Sequence, residues 1–364
     1  MLQTAQEVEH IFADIRSLIE DGDRAAAARM MAQLQPDRLP RHLLAVADRC
    51  TRELKDVLQR SGAAATAANA FGLQQLGFIV GTGRCGTTIL ASLLNAHSKI
   101  CVPPELSFLV NCYGKDMLFE KAVSGEMATY TAEDFVRLIG DFCPFELGGF
   151  IDLKSHFARK TYPQLSAARV AREFFDEICR NQGKQVLIEQ TTWYGLELHS
   201  IRKMFPDMKV IHVVRDARDV ALSATRTGWW QMGFYENLER WGREVDTIHR
   251  FGQDYPRQFL EIRYENLIAD APRELSRILG MFGLAFESGM LDGDNIIDYF
   301  DLLKEDMSQR HSPGYRKWKK SGGEKSGRVL FSDSVFAWKK SSEYDFTKML
   351  PSVREALQRY GYST

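Results

Sequence analysis

The sequence predicts an α/β fold: a P-loop-like, mostly parallel sheet flanked by helices, with a helical module in front of it. Three observations lead there. From residue 76 onward, short apolar runs alternate with segments of helical period, which is the rhythm of a parallel sheet with crossover helices. The first of those runs leads straight into a glycine-rich turn, GTGRCGTT, over residues 81–88. Before residue 70 the apolar residues recur only at helical spacing. A chain of 364 residues fits one large domain and an appendage, or two modest domains, and 45% hydrophobic residues supply a core of ordinary size.

Taken in order, Val8, Ile11, Phe12, Ile15, Leu18 and Ile19 mark a first helix that Asp21-Gly22-Asp23 ends. The Ala- and Met-rich stretch from Arg24 to Leu34 favours a second. After Pro36 and Pro40, a third amphipathic run carries Leu43, Leu44, Ala47, Leu54, Val57 and Leu58. The small, unpatterned residues 61–70 read as a linker, so residues 1–70 form a helical module and 71–364 the main domain. Amphipathic helices mainly cover a core; homo-oligomerisation and acceptor docking are the other uses open to this module.

In the main domain, LGFIVG (76–81) is a first strand and ILASLLNAH the helix after it. QVLIEQ (185–190) is a second strand, trailed by a helix through Leu196, Leu198, Ile201 and Phe205. KVIHVVRD (209–216) is a third, followed by a helix through Val220 and Leu222. FLEIRYENL (259–267) is a fourth, with Leu275, Ile278, Leu279 and Phe282 on the next helix. Residues 302–345 are polar and Lys-rich, and a helix from Pro351 to Tyr360 closes the chain.

With 47 Lys and Arg against 48 Asp and Glu, the chain lacks the basic excess of a general nucleic-acid binder. Any anion site has to be built locally. The six cysteines show neither CxxC pairs nor zinc-type spacing with histidine, which fits free thiols in a reducing compartment. The acidic N-terminal stretch lacks the apolar core of a signal peptide. No run reaches the roughly 18 apolar residues of a membrane span. A cytoplasmic protein is expected.

GTGRCGTT lies between a strand and a helix, where a phosphate cradle belongs. Gly81 and Gly86 have the glycine spacing of a Walker A loop, but Thr87 stands where that loop has its lysine. A nucleoside triphosphatase or kinase needs the lysine on the β and γ phosphates. This loop carries Arg84 instead. A second element begins at the carboxyl end of the third strand, with Arg215 there and Ser223 eight residues later. In an open α/β sheet that rim is where ligands bind, and an Arg fork with a Ser hydroxyl suits a phosphate. Arg215 could instead simply pair with Asp216 or Asp219 at a helix start. Two anion-binding elements on strand ends point to a ligand with phosphate at two places.

Together these motifs resemble the sulfotransferases that use 3′-phosphoadenosine-5′-phosphosulfate (PAPS). Gly83-Arg84-Cys85-Gly86-Thr87-Thr88 is similar to their 5′-phosphosulfate loop, and Arg215 with Ser223 to their 3′-phosphate motif. The stretch GTGRCGTTILASLLNAHSKICVPPELSFLV is especially similar to tyrosylprotein sulfotransferases and bacterial relatives. RYENLIADAPRELSRILGMFGL resembles the family's RYEDL segment, which puts Tyr264 near the nucleotide. The resemblance covers residues 76 to 364 in blocks and leaves out the N-terminal module.

It implies that Gly83, Arg84, Cys85, Gly86, Thr87 and Thr88 hold the 5′ end of PAPS as co-substrate. Arg84 would also act in catalysis by neutralising charge on the transferred group. Glu105, 21 residues after Arg84, falls at the position of the catalytic glutamate of the tyrosylprotein sulfotransferases and is implied as general base. No metal is expected. The histidine base of other members has no counterpart: His97 reads as a helix-end residue, His212 as core, and His156 and His199 lack motif support. Where many relatives carry a lysine at a strand end, this chain has Gln190, so Arg84 or a tail lysine among Lys319, Lys320, Lys339 and Lys340 would have to substitute. The acceptor would be a hydroxyl on a small metabolite, lipid or glycan. The alternative is an atypical P-loop kinase without the Walker A lysine.

Overall fold

The computed structural model describes residues 10–15, 72–109, 147–158, 167–227, 231–302 and 332–364. Most of the N-terminal module, the 61–70 linker, Trp229 and Trp230 beside the second motif, and Lys319 and Lys320 lie outside the described residues. Within the module, residues 10–15 are helical, with Phe12 and Ile15 buried.

Five parallel strands form one sheet in the order β2-β3-β1-β4-β5. They are β1 (Gln75–Gly81), β2 (Ile100–Cys101), β3 (Val186–Glu189), β4 (Lys209–Val214) and β5 (Phe259–Arg263). β1, β3 and β4 are near-continuous apolar runs with almost every residue buried, as strands covered on both faces must be. His212 sits inside β4, fully buried, with Nδ1 3.1 Å from Glu261.

The helices are α1 (Thr87–Asn95), α2 (Leu153–Ala158), α3 (Ala167–Asn181), α4 (Leu198–Met204), α5 (Ala217–Thr225), α6 (Phe234–Asp254), α7 (Tyr264–Ala269), α8 (Ala271–Met281) and α9 (Pro351–Arg359). Two differences from the sequence reading stand out. FLEIRYENL is strand only as far as Arg263, and Tyr264 opens α7 rather than continuing the strand. The helix expected after QVLIEQ is a 3₁₀ turn, Thr192–Leu196, followed by α4. Three helices escaped that reading: the short α2 and two longer ones with a core-facing stripe. α3 buries Val170, Phe174, Phe175 and Ile178, and α6 buries Phe234, Leu238, Trp241, Val245, Ile248 and Phe251. Both sets recur every three or four residues, the spacing of a core-facing helical stripe.

The topology places the site. β1 sends the chain to one side of the sheet, toward β2, while its neighbour β4 sends it to the other, toward β5. Adjacent strands whose connections diverge leave a crevice beyond their carboxyl ends, and ligands of open α/β sheets bind there. Gly81 is in register with Val213, so the glycine-rich turn and Arg215 leave the sheet side by side.

Candidate active site

The turn after β1 is shaped by its glycines. A Cβ on Gly81 would lie 2.5 Å from Cys85 Sγ and 2.7 Å from the Val213 carbonyl oxygen. Gly86 caps α1 at φ 103 and has the Tyr264 ring 2.3 Å from where a Cβ would sit. Arg84 itself has φ 70, a left-handed conformation that costs a non-glycine residue energy and clusters at functional sites. The result is a tight cradle that ends on the N-terminus of α1, whose dipole favours anions. Thr87 begins that helix and is buried; Thr88 follows it and is partly exposed. Cys85 is buried and its thiol pushed up to about 12, chiefly by burial, so it packs the turn as a neutral group.

The second motif closes on the first. Arg84 Nε donates to Ser223 Oγ at 3.1 Å, and Arg215 Nη1 donates to the Arg84 carbonyl at 3.0 Å. Arg215 also lies over the Tyr264 ring, 4.7 Å from its centroid, and its Nη2 donates to the Ser334 carbonyl at 2.6 Å. Tyr264 OH is 2.8 Å from Ser334 Oγ. The expected alternative partners of Arg215 are otherwise engaged. Asp216 caps α5 and takes two bonds from the Arg218 side chain, at 2.8 and 2.7 Å, and a third from Trp338 Nε1 at 3.1 Å. Asp219 accepts from Trp338 N.

Two guanidiniums thus share one crevice. Among the described residues neither has a carboxylate within ion-pair distance, and Arg215 Nε is buried with no hydrogen-bond partner. Burial, and next the charge of Arg215, lower the Arg84 pKa. Like charges left facing each other in a covered site are costly; a bound polyanion relieves them.

Glu105 lies on the stretch that leaves β2, and its charge and that of Arg84 act on each other. This segment has no ladder of its own and is held by side chains. Val102 N donates to Asn95 Oδ1 at 2.8 Å, Leu106 N to Glu189 Oε1 at 3.0 Å, Ser107 N to Thr191 Oγ1 at 3.1 Å and Leu109 N to Tyr194 OH at 2.9 Å. Tyr299 OH donates to the Val102 carbonyl. Burial, and second the negative charge of Glu189, push the Glu105 carboxyl up to about 8, while Arg84 pulls it down. A carboxyl in that range can accept a proton at physiological pH.

Gln190, at the end of β3, is buried and donates to the Pro103 carbonyl at 3.3 Å, with Oε1 unpartnered. Lys339 and Lys340 are exposed in a 3₁₀ turn, with Lys339 Nζ over the Phe336 ring. The histidines stand apart from this crevice in other contacts: His97 bonds the Ala285 carbonyl, His156 packs on Phe174, and His199 pairs with Asp254. Residues that the sequence reading did not single out are Glu189, Thr191, Tyr194 and Trp241, whose Nε1 donates to the Arg215 carbonyl at 3.0 Å.

The chain is similar in sequence and in fold to known proteins. A putative protein-tyrosine sulfotransferase of Caenorhabditis briggsae is 24% identical over 231 residues, 62% of this chain and 71% of that protein. A second, from Caenorhabditis elegans, is 28% identical over 128 residues, 34% of this chain and 49% of that protein. Among solved structures, the sulfotransferase domain from the Synechococcus PCC 7002 olefin synthase shares the fold, with a TM-score of 0.53 at 17% identity over 81% of this chain and 97% of that one. The sulfotransferase domain from the curacin biosynthetic pathway gives 0.52 at 18% identity, over 80% and 99%. The model of the sulfotransferase family matches residues 78–288. That span runs from the first strand through the glycine turn, Glu105, Arg215 and Tyr264, and by it this chain belongs to the sulfotransferase family.

Proposed function

We propose that the protein transfers a sulfuryl group from PAPS to an acceptor hydroxyl, with Arg84 and Glu105 as its catalytic residues. The observation that carries this reading is the pair of cationic residues Arg84 and Arg215, joined across the crevice between β1 and β4 by a hydrogen bond from the Arg215 guanidinium to the Arg84 backbone carbonyl. The residues fit the nucleotide. Gly86 lets the turn close against the Tyr264 ring, where a Cβ would clash, and Arg215 keeps a buried Nε without a partner. Gly83 to Thr88 would hold the 5′ end, and Arg215 with Ser223 the 3′-phosphate, with Tyr264 beneath them. PAPS brings the sulfuryl group and a good leaving group, adenosine 3′,5′-bisphosphate.

What the chain contributes is positioning and charge, as in phosphoryl transfer. Arg84 offsets negative charge at the centre of the crevice. Glu105, in its carboxylate form, takes the proton of the attacking hydroxyl. With Gln190 in place of the usual lysine, Arg84 carries the cationic task there. The acceptor is a small metabolite, lipid or glycan, in a cytoplasmic setting that the free thiols Cys85, Cys101 and Cys179 support. Residues 71–364 form the transferase domain of this reading. The kinase alternative is weakened by Asp216: both of its oxygens are taken by Arg218 and Trp338, so it is not placed to hold a magnesium ion.

Calorimetric titration of the full chain with adenosine 3′,5′-bisphosphate and with AMP tests the proposal. The bisphosphate should bind more tightly, and Arg215→Ala should remove most of that difference, about 1.5–3 kcal/mol for each charge-assisted hydrogen bond that the substitution removes. Equal affinity for the two nucleotides in the unmodified protein would overturn it.

A further inference from the structure

Glu189 is the last residue of β3 and is fully buried. Its carboxylate accepts three hydrogen bonds: Leu106 N at 3.0 Å and Thr191 Oγ1 on Oε1, and Thr191 N at 2.8 Å on Oε2. Leu106 is the residue directly after Glu105. Thr191 Oγ1 in turn accepts from Ser107 N, the next residue along, which is held at φ 56. A strand tip therefore fixes the backbone on the carboxyl side of Glu105 through a relay of one carboxylate and one hydroxyl. A neutral amide or a backbone carbonyl could serve Leu106 N without bringing a charge into the core. Burying a carboxylate is expensive even with donors supplied. Among the described residues, the charged neighbours acting on Glu105 are Glu189, from β3, and Arg84, from the glycine turn.

We propose that Glu189 is a positioning residue for the transfer, holding the Glu105 segment against Arg84 and keeping a second negative charge beside Glu105. This rests on Glu105 being the proton acceptor. The charge of Glu189 raises Glu105, and Glu189 is itself pushed up to about 7 by burial, against the hydrogen bonds of Thr191 and Leu106 that hold it down. While Glu189 is ionised, Glu105 binds its proton more strongly. With that charge removed, Glu105 ionises at lower pH and is a weaker base.

The test follows the initial rate of label transfer from radiolabelled PAPS to acceptors in a host-cell extract, as a function of pH. Affinity for adenosine 3′,5′-bisphosphate is measured in parallel on the same full-length enzymes. The unmodified enzyme should gain activity as pH rises toward about 8. In Glu189→Gln the plateau should fall roughly tenfold to a hundredfold from misplacement of Glu105. Its acid limb should also move down by roughly half a pH unit or more, with nucleotide affinity within about twofold of the original, because no nucleotide-binding group has changed. Should Glu189→Gln fail to fold, Thr191→Val takes its place. Removing a hydrogen bond that keeps Glu189 ionised should shift the limb in the same direction by less. Inactive Glu105→Gln together with an unmoved limb in the Glu189 or Thr191 variant overturns this proposal alone. Full activity in Glu105→Gln overturns the assignment of Glu105 and this proposal with it.

Discussion

Gly86 shows how much a single position can decide. Its φ of 103 and the Tyr264 ring against its α-carbon leave no room for a side chain, and Tyr264 is the surface on which Arg215 lies. Gly86→Ala should therefore destabilise the fold by about 1–3 kcal/mol, the range for a forced left-handed residue. Bisphosphate affinity should fall as well, because the ring and the guanidinium above it must move. Gly280 is the control: it lies in α8, and a Cβ added there would meet nothing within 4 Å. At that position alanine should stabilise by about 0.5–1 kcal/mol and leave nucleotide binding unchanged. Paired denaturant melts and titrations of the two variants check both expectations.

At the scale of elements, α6 supports Arg215 much as the tip of β3 supports the segment of Glu105. Trp241 is fully buried on α6 and donates to the carbonyl of Arg215, so a helix well removed in sequence fixes the end of β4. Trp241→Phe should leave that carbonyl without a partner and cost about 1–3 kcal/mol in a urea melt, with a further loss of bisphosphate affinity. How much of this was legible in the sequence follows from distance along the chain. The strands β1, β3 and β4, the glycine turn and the Arg215–Ser223 spacing are local patterns, and each reads directly. α6 was legible too, since Phe234, Leu238, Trp241, Val245 and Ile248 carry a helical period, but Trp241's bond to Arg215 was not. The bonds that hold residues 106–109 come from side chains 83 to 85 positions away. They pair a side chain with a backbone amide, and no periodicity or motif encodes such a pairing. Tyr264 fell on the wrong element for a related reason. Its strand-like neighbours FLEIR run directly into α7, with no glycine or proline to mark the change.

Across the whole molecule, the crevice imposes a pH dependence on stability. Folding raises Glu105 to about 8, Glu189 to about 7 and Asp219 to about 6, each chiefly by burial, from 4.5, 4.5 and 3.8. A carboxyl raised by folding stabilises the folded state fully below its unfolded value, and that contribution is lost as pH climbs through the folded one. His212, whose pKa burial lowers from 6.5, works in the opposite sense as pH rises toward that value. Glu261, held down to about 2 against the pull of burial by His212 and His249, contributes stability above 4.5 that is lost as pH falls toward 2. The melting temperature of the free protein should thus decline as pH rises above about 4.5, with Glu105 alone of the three carboxyls still contributing between about 7 and 8, and Glu105→Gln should flatten that last part; scanning calorimetry across the range checks it. The side-chain ties at residues 102–109 have a consequence of another kind. Four backbone amides of this stretch hang on the side chains of Asn95, Glu189, Thr191 and Tyr194, so a substitution at any of those four positions can displace Glu105 without touching it.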